Sequence, residues 1–193
     1  MGHYLDIETS SLLPGPSPTE GGKIVTIQYQ KLSYLDNKPI APLVILKAWE
    51  SSEKEILEKF SEIFNTGGKW DFAPCYGYNM FFEEKWLRER CIANGLPPIE
   101  LFSKPSVDLH VCGIMMNKGA FKNSGLDKIS NKDGNGALII EAIEEKDYAK
   151  IEEYIIQETK AYIELLVYLT KNMYKVLEDF QTYISNAPDA TRQ

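Results

Sequence analysis

The amino-acid sequence predicts an α/β fold in which a mixed β-sheet is flanked by α-helices. Strand-like segments dominate the first quarter of the chain, and helical patterns then alternate with shorter strands, which favours helices packed over one sheet. A chain of 193 residues with 44% hydrophobic residues can build one substantial core. We therefore expect a single domain over residues 1–184 and a frayed C-terminal tail over residues 185–193.

Several segments have the β-branched and aromatic composition that is typical of strands. The first of them runs directly into acidic residues, and a loop with three prolines and three glycines follows it at 12–22. The predicted strands span residues 4–7, 23–32, 42–49, 71–78 and 106–109.

Helical patterns fill most of the remaining chain. Ser52 followed by Glu55 indicates a helix start, and Asn79 is a candidate N-cap for a helix that ends before the Gly-Leu-Pro-Pro run at 95–98. A small helical piece is expected near 126–129. From 147 to 184 apolar residues recur at steps of three, four and seven, which predicts one long helix.

Composition limits the classes of function. A net charge of −7 argues against a protein that coats nucleic acid passively, because such proteins carry a basic face. It does not exclude an enzyme that holds phosphates through divalent cations. Three cysteines without a Cys-x-x-Cys pair make a disulfide framework or zinc site unexpected, and no apolar run is long enough for a membrane span. We expect a cytoplasmic protein without a signal peptide or membrane partner.

Two acidic residues lie on the first predicted strand. Asp6 and Glu8 are two positions apart, so their side chains point to the same face of the sheet. Like charges on one face are costly unless a cation or a basic partner lies between them. A metal site that transfers phosphoryl groups needs such carboxylates. The alternative is a strand end with two solvated acids.

Two further acidic positions lie on predicted helices. Tyr154 and Glu158 are four apart and hence neighbours on one face of the long helix, where Glu158 falls near the apolar stripe. Thr159 is an alternative occupant of that inward position, in which case Glu158 faces water. Glu83 lies in the first turn of its helix, where the helix dipole favours an acid whether or not it binds anything.

Taken in order, three segments resemble the motifs of the DnaQ-like, or DEDD, 3′–5′ exonucleases, which have an RNase H-like fold. Residues 6–12, Asp-Ile-Glu-Thr-Ser-Ser-Leu, resemble the first motif, Asp-x-Glu-Thr-Thr-Gly-Leu. Gly-Tyr-Asn at 77–79 with Phe-Glu-Glu-Lys-Trp-Leu at 82–87 resembles the second, and Tyr-Ile-Ile-Gln-Glu at 154–158 resembles the third, Tyr-x-x-x-Asp. Tyr154, four positions before the last acid, matches the tyrosine subclass of that family.

The sequence departs from the family pattern at two positions. Glu83 and Glu158 stand where the family motifs have aspartate. Each glutamate adds a methylene, so the site either binds metal weakly, prefers manganese, or belongs to helices that lie slightly further back. The sequence leaves these alternatives open.

The resemblance implies a 3′–5′ exonuclease that hydrolyses phosphodiester bonds at the 3′ ends of single-stranded DNA or RNA. Two divalent cations, Mg²⁺ or Mn²⁺, are expected as cofactors, and Tyr154 is expected to orient the attacking water. The implied metal ligands are Asp6, Glu8, Glu83 and Glu158. The residues implied in substrate binding are Thr9, Leu12, Asn79 and Phe82, with core packing favoured for Phe82.

An alternative function uses the same fold without catalysis. In it the altered acids no longer support hydrolysis, and an RNase H-like domain serves in binding nucleic acid or protein. A protein partner or a homodimer is left open in both cases. His110 and Asp108 are expected as surface or helix-capping residues. Lys118, Lys122, Lys128 and Lys132, interleaved with Phe121, form either a solvated loop or a guide for a single strand.

Overall fold

A computed structural model describes residues 1–66, 68, 71–130 and 137–186 of the chain. Within these ranges five strands form one sheet with the order β3-β2-β1-β4-β5. The strands are β1 Gly2–Thr9, β2 Ile24–Leu32, β3 Val44–Lys47, β4 Cys75–Gly77 and β5 Ser106–Asp108. Each corresponds to a predicted strand, although the third and fourth are shorter than predicted.

The sheet is mixed, with β1 at its centre. β1 pairs antiparallel with β2, and β2 pairs antiparallel with β3. On the other side β1 pairs parallel with β4, and β4 pairs parallel with β5. The predicted α/β fold with a mixed sheet flanked by helices is therefore confirmed.

Helices follow the strands along the chain. They are α1 Glu53–Asn65, α2 Met80–Ala93, α3 His110–Met116, α4 Leu126–Ile129, α5 Ala137–Glu145 and α6 Tyr148–Asn186. Ser52 caps α1 as predicted, since its side chain accepts a hydrogen bond from Glu55 N at 3.2 Å. Although α6 is 39 residues long, none of the helices within the described ranges is long and apolar enough to cross a membrane.

The sequence analysis missed α5. Its apolar residues span only a few positions between a polar stretch and the long helical pattern, so no periodicity separates it from a loop. Lys146 ends it with a left-handed backbone (φ 58°), and α6 begins two residues later at Tyr148. The buried side chains of Ile139 and Ala142 pack against Tyr154 and Ile155. The missed helix therefore supports a residue predicted to be functional.

The two faces of β1 enter different parts of the core. Leu5 and Ile7 pack with apolar residues of α1 and α2, such as Phe60 and Leu87. Tyr4, on the opposite face, packs with residues of α3 and α6. Because side chains alternate along a strand, Asp6 and Glu8 share the face of Tyr4.

Candidate active site

A cleft of about 450 Å³ opens beside the carboxyl end of β1. β1, β4 and β5 run parallel, so the residues that follow each strand meet at one edge of the sheet. All nine predicted site residues line this cleft. The lining also contains Tyr4, Ile7, Ser11, Tyr78, His110, Phe121, Gly125, Leu126, Asp127, Ile140 and Tyr162.

Three carboxylates converge in the cleft. Asp6, Glu8 and Glu158 each offer an oxygen atom, and these atoms all lie within 4.8 Å of one another. We call this group the acidic triad. Two of its members come from one face of β1, and the third comes from α6, which packs over that face. Oxygen atoms this close together could hold a small cation, because hard cations prefer oxygen ligands.

The burial of these carboxylates separates the alternatives left open by the sequence. Glu8 is only 7% exposed, so it is not a solvated acid at a strand end. Thr159 is buried at 4% exposure and occupies the inward position on α6. Glu158 is half-buried beside it and lines the cleft. Both expectations for this turn of α6 are therefore met in part, because the core takes Thr159 and the cleft takes Glu158.

Asp6 is held by hydrogen bonds from two buried side chains. Tyr4 Oη donates to Asp6 Oδ2 at 3.2 Å, and Gln28 Nε2 donates to the same oxygen at 2.9 Å. Neither donor was identified from the sequence. Gln28 lies 22 positions from Asp6, and only the register between β1 and β2 reveals that the two residues face each other.

Glu83, the fourth predicted ligand, lies in the cleft but outside the acidic triad. It is 3% exposed, and its Oε2 atom has no hydrogen-bond partner among the described residues. Burial raises the pKa of this carboxyl well above its usual range, and the charges of Asp6, Asp108 and Glu158 add to the effect. Glu83, which has one methylene more than the aspartate of the family motif, thus places its carboxylate outside the acidic triad.

Tyr154 lies beside the acidic triad and is 9% exposed. Burial is the main reason that the pKa of its phenol is raised, followed by the charges of Glu158, Glu8 and Asp6. The hydroxyl therefore keeps its proton at neutral pH. It can donate a hydrogen bond to an oxygen in the cleft, and it is unsuited to act as a general base.

The predicted substrate-binding residues form the rim and floor of the cleft. Leu12 is 80% exposed at the rim, and Thr9 Oγ1 donates to Ser11 O at 2.8 Å, which stabilises the start of the loop. The Phe82 ring is half-buried, with its centroid 5.8 Å from that of Trp86. That contact agrees with the packing role favoured for Phe82, while the cleft position leaves room for contact with a ligand.

The expected capping roles of Asn79 and Asp108 need correction. Asn79 occupies the N-cap position of α2 with a left-handed backbone (φ 64°), but its side chain makes no capping hydrogen bond. Asp108, at the end of β5, instead accepts hydrogen bonds from Asn79 N at 2.8 Å and Met80 N at 2.9 Å. It also accepts from His110 N at 2.9 Å, although the N-cap position of α3 is Leu109 and not Asp108 as predicted. One carboxylate thus fixes the starts of two helices at the cleft.

The opposite wall of the cleft is aromatic. His110 Nε2 lies 2.8 Å from Ser124 Oγ, and its ring centroid lies 5.2 Å from that of Tyr78 and 5.0 Å from that of Phe121. We predicted His110 as a surface or capping residue, and the structure places it in this wall. The sequence could not predict this wall, because its three aromatic rings come from segments that are far apart in the chain.

The lysine-rich stretch contributes its aromatic residue to the cleft. Phe121 lines the cleft and is 72% exposed. Lys128 Nζ lies 2.9 Å from Asp127 Oδ2, and Lys118 Nζ lies 5.6 Å from the Tyr183 ring centroid. Lys132 lies outside the described residues, as do residues 187–193 of the predicted tail.

No family model matches the chain, and no curated protein matches it. The main indication of function is the cleft itself, where three carboxylates, a tyrosine and exposed apolar side chains come together.

Proposed function

We propose that this protein is a metal-dependent 3′–5′ exonuclease with an RNase H-like fold, acting on single-stranded DNA or RNA. The observation that carries the proposal is the convergence of Asp6, Glu8 and Glu158 within 4.8 Å in a cleft large enough for a nucleotide. The mixed sheet and the cleft at its carboxyl edge are compatible with the fold that the sequence motifs imply.

The acidic triad fits a divalent cation. Mg²⁺ and Mn²⁺ favour carboxylate oxygens, and opposite ligands of an octahedral Mg²⁺ lie about 4.2 Å apart. The separations in the triad, up to 4.8 Å, need only small side-chain adjustments to reach that geometry. Glu83 Oε2, which has no hydrogen-bond partner among the described residues, is the candidate ligand for a second ion.

The residues of the cleft would divide the chemistry between them. When bound, divalent ions lower the pKa of a water molecule and stabilise the charge on the departing oxygen. The three carboxylates would hold the ion, and Tyr154 would donate a hydrogen bond that orients the attacking water. Because the Tyr154 phenol stays protonated, it positions that water and does not deprotonate it.

The rim of the cleft suits the end of a single strand. Leu12 and Phe121 are both largely exposed and line the same cleft, so a terminal base can contact apolar surface at its mouth. Base stacking on an aromatic ring is worth about 1–3 kcal/mol and is tolerant of sequence. With a net charge of −7 the protein cannot rely on general attraction to phosphate. Binding would therefore depend on the ions and on these contacts.

A second candidate function follows from the position of Glu83. Its carboxylate stays outside the acidic triad, and burial raises the pKa of this carboxyl above its usual range. If it cannot rotate into the site, the cleft binds one ion and a nucleic-acid end without hydrolysis. This is the catalytically impaired domain that the sequence left open.

Digestion of blocked oligonucleotides tests the proposal. Single-stranded DNA and RNA with a block at either the 3′ or the 5′ end would be incubated with wild-type protein in Mg²⁺, Mn²⁺ or chelator. We expect stepwise shortening from a free 3′ end that requires metal and is lost in Asp6→Asn. Asp36→Asn, in an exposed turn, is the matched control and should digest normally.

Other outcomes point away from the exonuclease. Metal-dependent digestion that persists in Asp6→Asn would contradict the proposed site. If the folded wild-type protein binds oligonucleotide and metal but leaves every substrate intact, the impaired domain becomes the better description.

A further inference from the structure

The side chain of Gln28, on β2, faces Asp6 of the acidic triad on the neighbouring strand β1. In the antiparallel register of β1 and β2, Asp6 pairs with Gln28, and Glu8 pairs with Thr26. Both β2 residues are fully buried at 0% exposure. Buried polar side chains on a central strand are costly unless they are hydrogen-bonded, so their contacts indicate why they are tolerated there.

The hydrogen bonds of Thr26 and Gln28 form a chain that ends at Asp6 of the acidic triad. Thr26 Oγ1 donates to Gln28 Oε1 at 2.9 Å, which fixes the amide so that its NH₂ group faces β1. Gln28 Nε2 then donates to Asp6 Oδ2 at 2.9 Å. Tyr4 Oη donates to the same oxygen at 3.2 Å. Two donors on one oxygen fix the plane of the Asp6 carboxylate and hence the direction of its other oxygen.

We infer that Gln28 is a positioning residue that orients Asp6 as a metal ligand, with Thr26 setting the orientation of the Gln28 amide. This inference rests on the proposed function, because it assigns a role within the same site. A glutamine suits the task because it donates a hydrogen bond without bringing a positive charge, which would compete with a cation. Hydrogen-bond partners of metal ligands typically contribute about 10–100-fold to metal affinity.

Manganese affinity of the metal-free protein tests the role of Gln28. Binding would be followed by electron paramagnetic resonance of free Mn²⁺ in the wild type, Gln28→Met and Gln30→Met. Gln30 is the matched control, since it lies two positions along β2 and donates to Ala41 O at 3.0 Å instead of to an acid. We expect Gln28→Met to weaken Mn²⁺ binding by about 10–100-fold and Gln30→Met to leave it unchanged.

Thr26→Val provides a second variant in case the methionine disturbs the core. It keeps the shape of the side chain but removes the hydroxyl that orients the Gln28 amide. We expect a smaller loss of Mn²⁺ affinity than in Gln28→Met. Thermal melting in excess chelator shows whether each variant is folded, because a folding defect lowers the melting temperature without metal.

The outcomes separate this inference from the proposed function. If folded Gln28→Met and Thr26→Val bind Mn²⁺ as the wild type does, the positioning role is overturned and the metal site stands. If the wild type binds no Mn²⁺, or if Asp6→Asn binds Mn²⁺ as well as the wild type does, the proposed metal site fails. This inference then fails with it.

Discussion

Two clusters that contain buried carboxylates lie on opposite sides of the sheet, one around Glu53 and the other formed by the acidic triad. Glu53, at 8% exposure, forms an ion pair with Arg90, which is fully buried. The guanidinium donates to both Glu53 oxygens, at 2.8 and 2.6 Å. Ile24 N and Asn94 Nδ2 also donate to this carboxylate. The Glu53 cluster is therefore a structural ion pair.

The acidic triad has a different composition. Asp6, Glu8 and Glu158 bring three like charges within 4.8 Å, and Glu83 adds a further buried carboxyl to the same cleft. Gathering like charges works against folding stability, whereas pairing a buried carboxylate with a guanidinium satisfies it. The environment of a buried acid, more than its burial, therefore distinguishes a candidate functional site from a structural one.

The comparison predicts opposite effects at the two clusters, the largest of them on digestion. Glu158→Gln removes one ligand of the acidic triad and should lower the digestion rate by about 10²–10³-fold, since metal-held charge contributes several kcal/mol. The free energy of unfolding without metal should stay the same or rise slightly, because removing one of several like charges relieves repulsion. Gel-based digestion measures the rate, and urea denaturation measures the free energy of unfolding.

Glu153→Gln is the control for that substitution. Glu153 is exposed on the same helix and forms a hydrogen bond with Gln157 Nε2 at 3.2 Å. The Glu153→Gln protein should digest oligonucleotides at the wild-type rate. Equal loss of digestion in both variants would mean that the effect belongs to α6 as a whole and not to the acidic triad.

The next effect concerns stability at the other cluster. Arg90→Met leaves Glu53 buried without its guanidinium and should reduce the free energy of unfolding by about 3–5 kcal/mol. The double variant Glu53→Met/Arg90→Met should recover much of that loss, because no uncompensated charge remains. Urea denaturation measures both, with the exposed Arg88→Met as the control. A loss below about 1 kcal/mol, typical of an exposed pair, would contradict the structural role.

Arg90 also reaches towards the cleft through the loop between β1 and β2. Its Nη1 atom donates to Gly15 O and Ser17 O, which lie in the loop that carries Leu12. The Mn²⁺ affinity of folded Arg90→Met should nevertheless match that of the wild type, since β1 and α6, and not this loop, carry the triad carboxylates. Weaker Mn²⁺ binding in that variant would contradict the claim that the two clusters act independently.

The smallest effect is a pH dependence at the opposite end of β1. Desolvation, together with the nearby Lys31 charge, lowers the pKa of His3 to about 4, and its ring stacks on Phe72 at 4.3 Å. The unfolded chain takes up this proton near pH 6.5, so the stability contribution is complete above about pH 6.5 and declines as the pH falls towards 4.

His3→Phe keeps a ring against Phe72 but removes the titration. The decline in urea midpoint between pH 6.5 and 4 should therefore be smaller in this variant than in the wild type, with digestion at neutral pH unchanged. An identical decline in both proteins would assign the pH dependence to other groups.

Local patterns predicted much of the fold and part of the site. The alternation of side chains along β1 placed Asp6 and Glu8 on one face, and the spacing of Tyr154 and Glu158 placed both beside the cleft. The N-cap position of α2 was predicted correctly at Asn79, but the capping hydrogen bonds come from Asp108, which lies 29 positions away and reaches α2 only through the parallel pairing of β4 and β5.

Contacts between distant segments explain the remaining misses. The sequence could not show that Gln28 faces Asp6, because this depends on strand register, nor that Glu53 pairs with Arg90, 37 positions away. It also could not show that Glu83 stays outside the acidic triad. The position of the Glu83 carboxylate depends on where α2 begins, and the hydrogen bonds to Asp108 fix the start of this helix.

A crystal structure of the protein soaked in Mn²⁺, with anomalous scattering recorded, tests the central claim most directly. We expect an anomalous peak within about 2.2 Å of an oxygen from each of Asp6, Glu8 and Glu158. The same peak should be absent from Glu158→Gln crystals and present in Glu153→Gln crystals. A fully occupied peak elsewhere, or an acidic triad that stays without Mn²⁺ at saturating concentration, would contradict the claim that these carboxylates form a metal site.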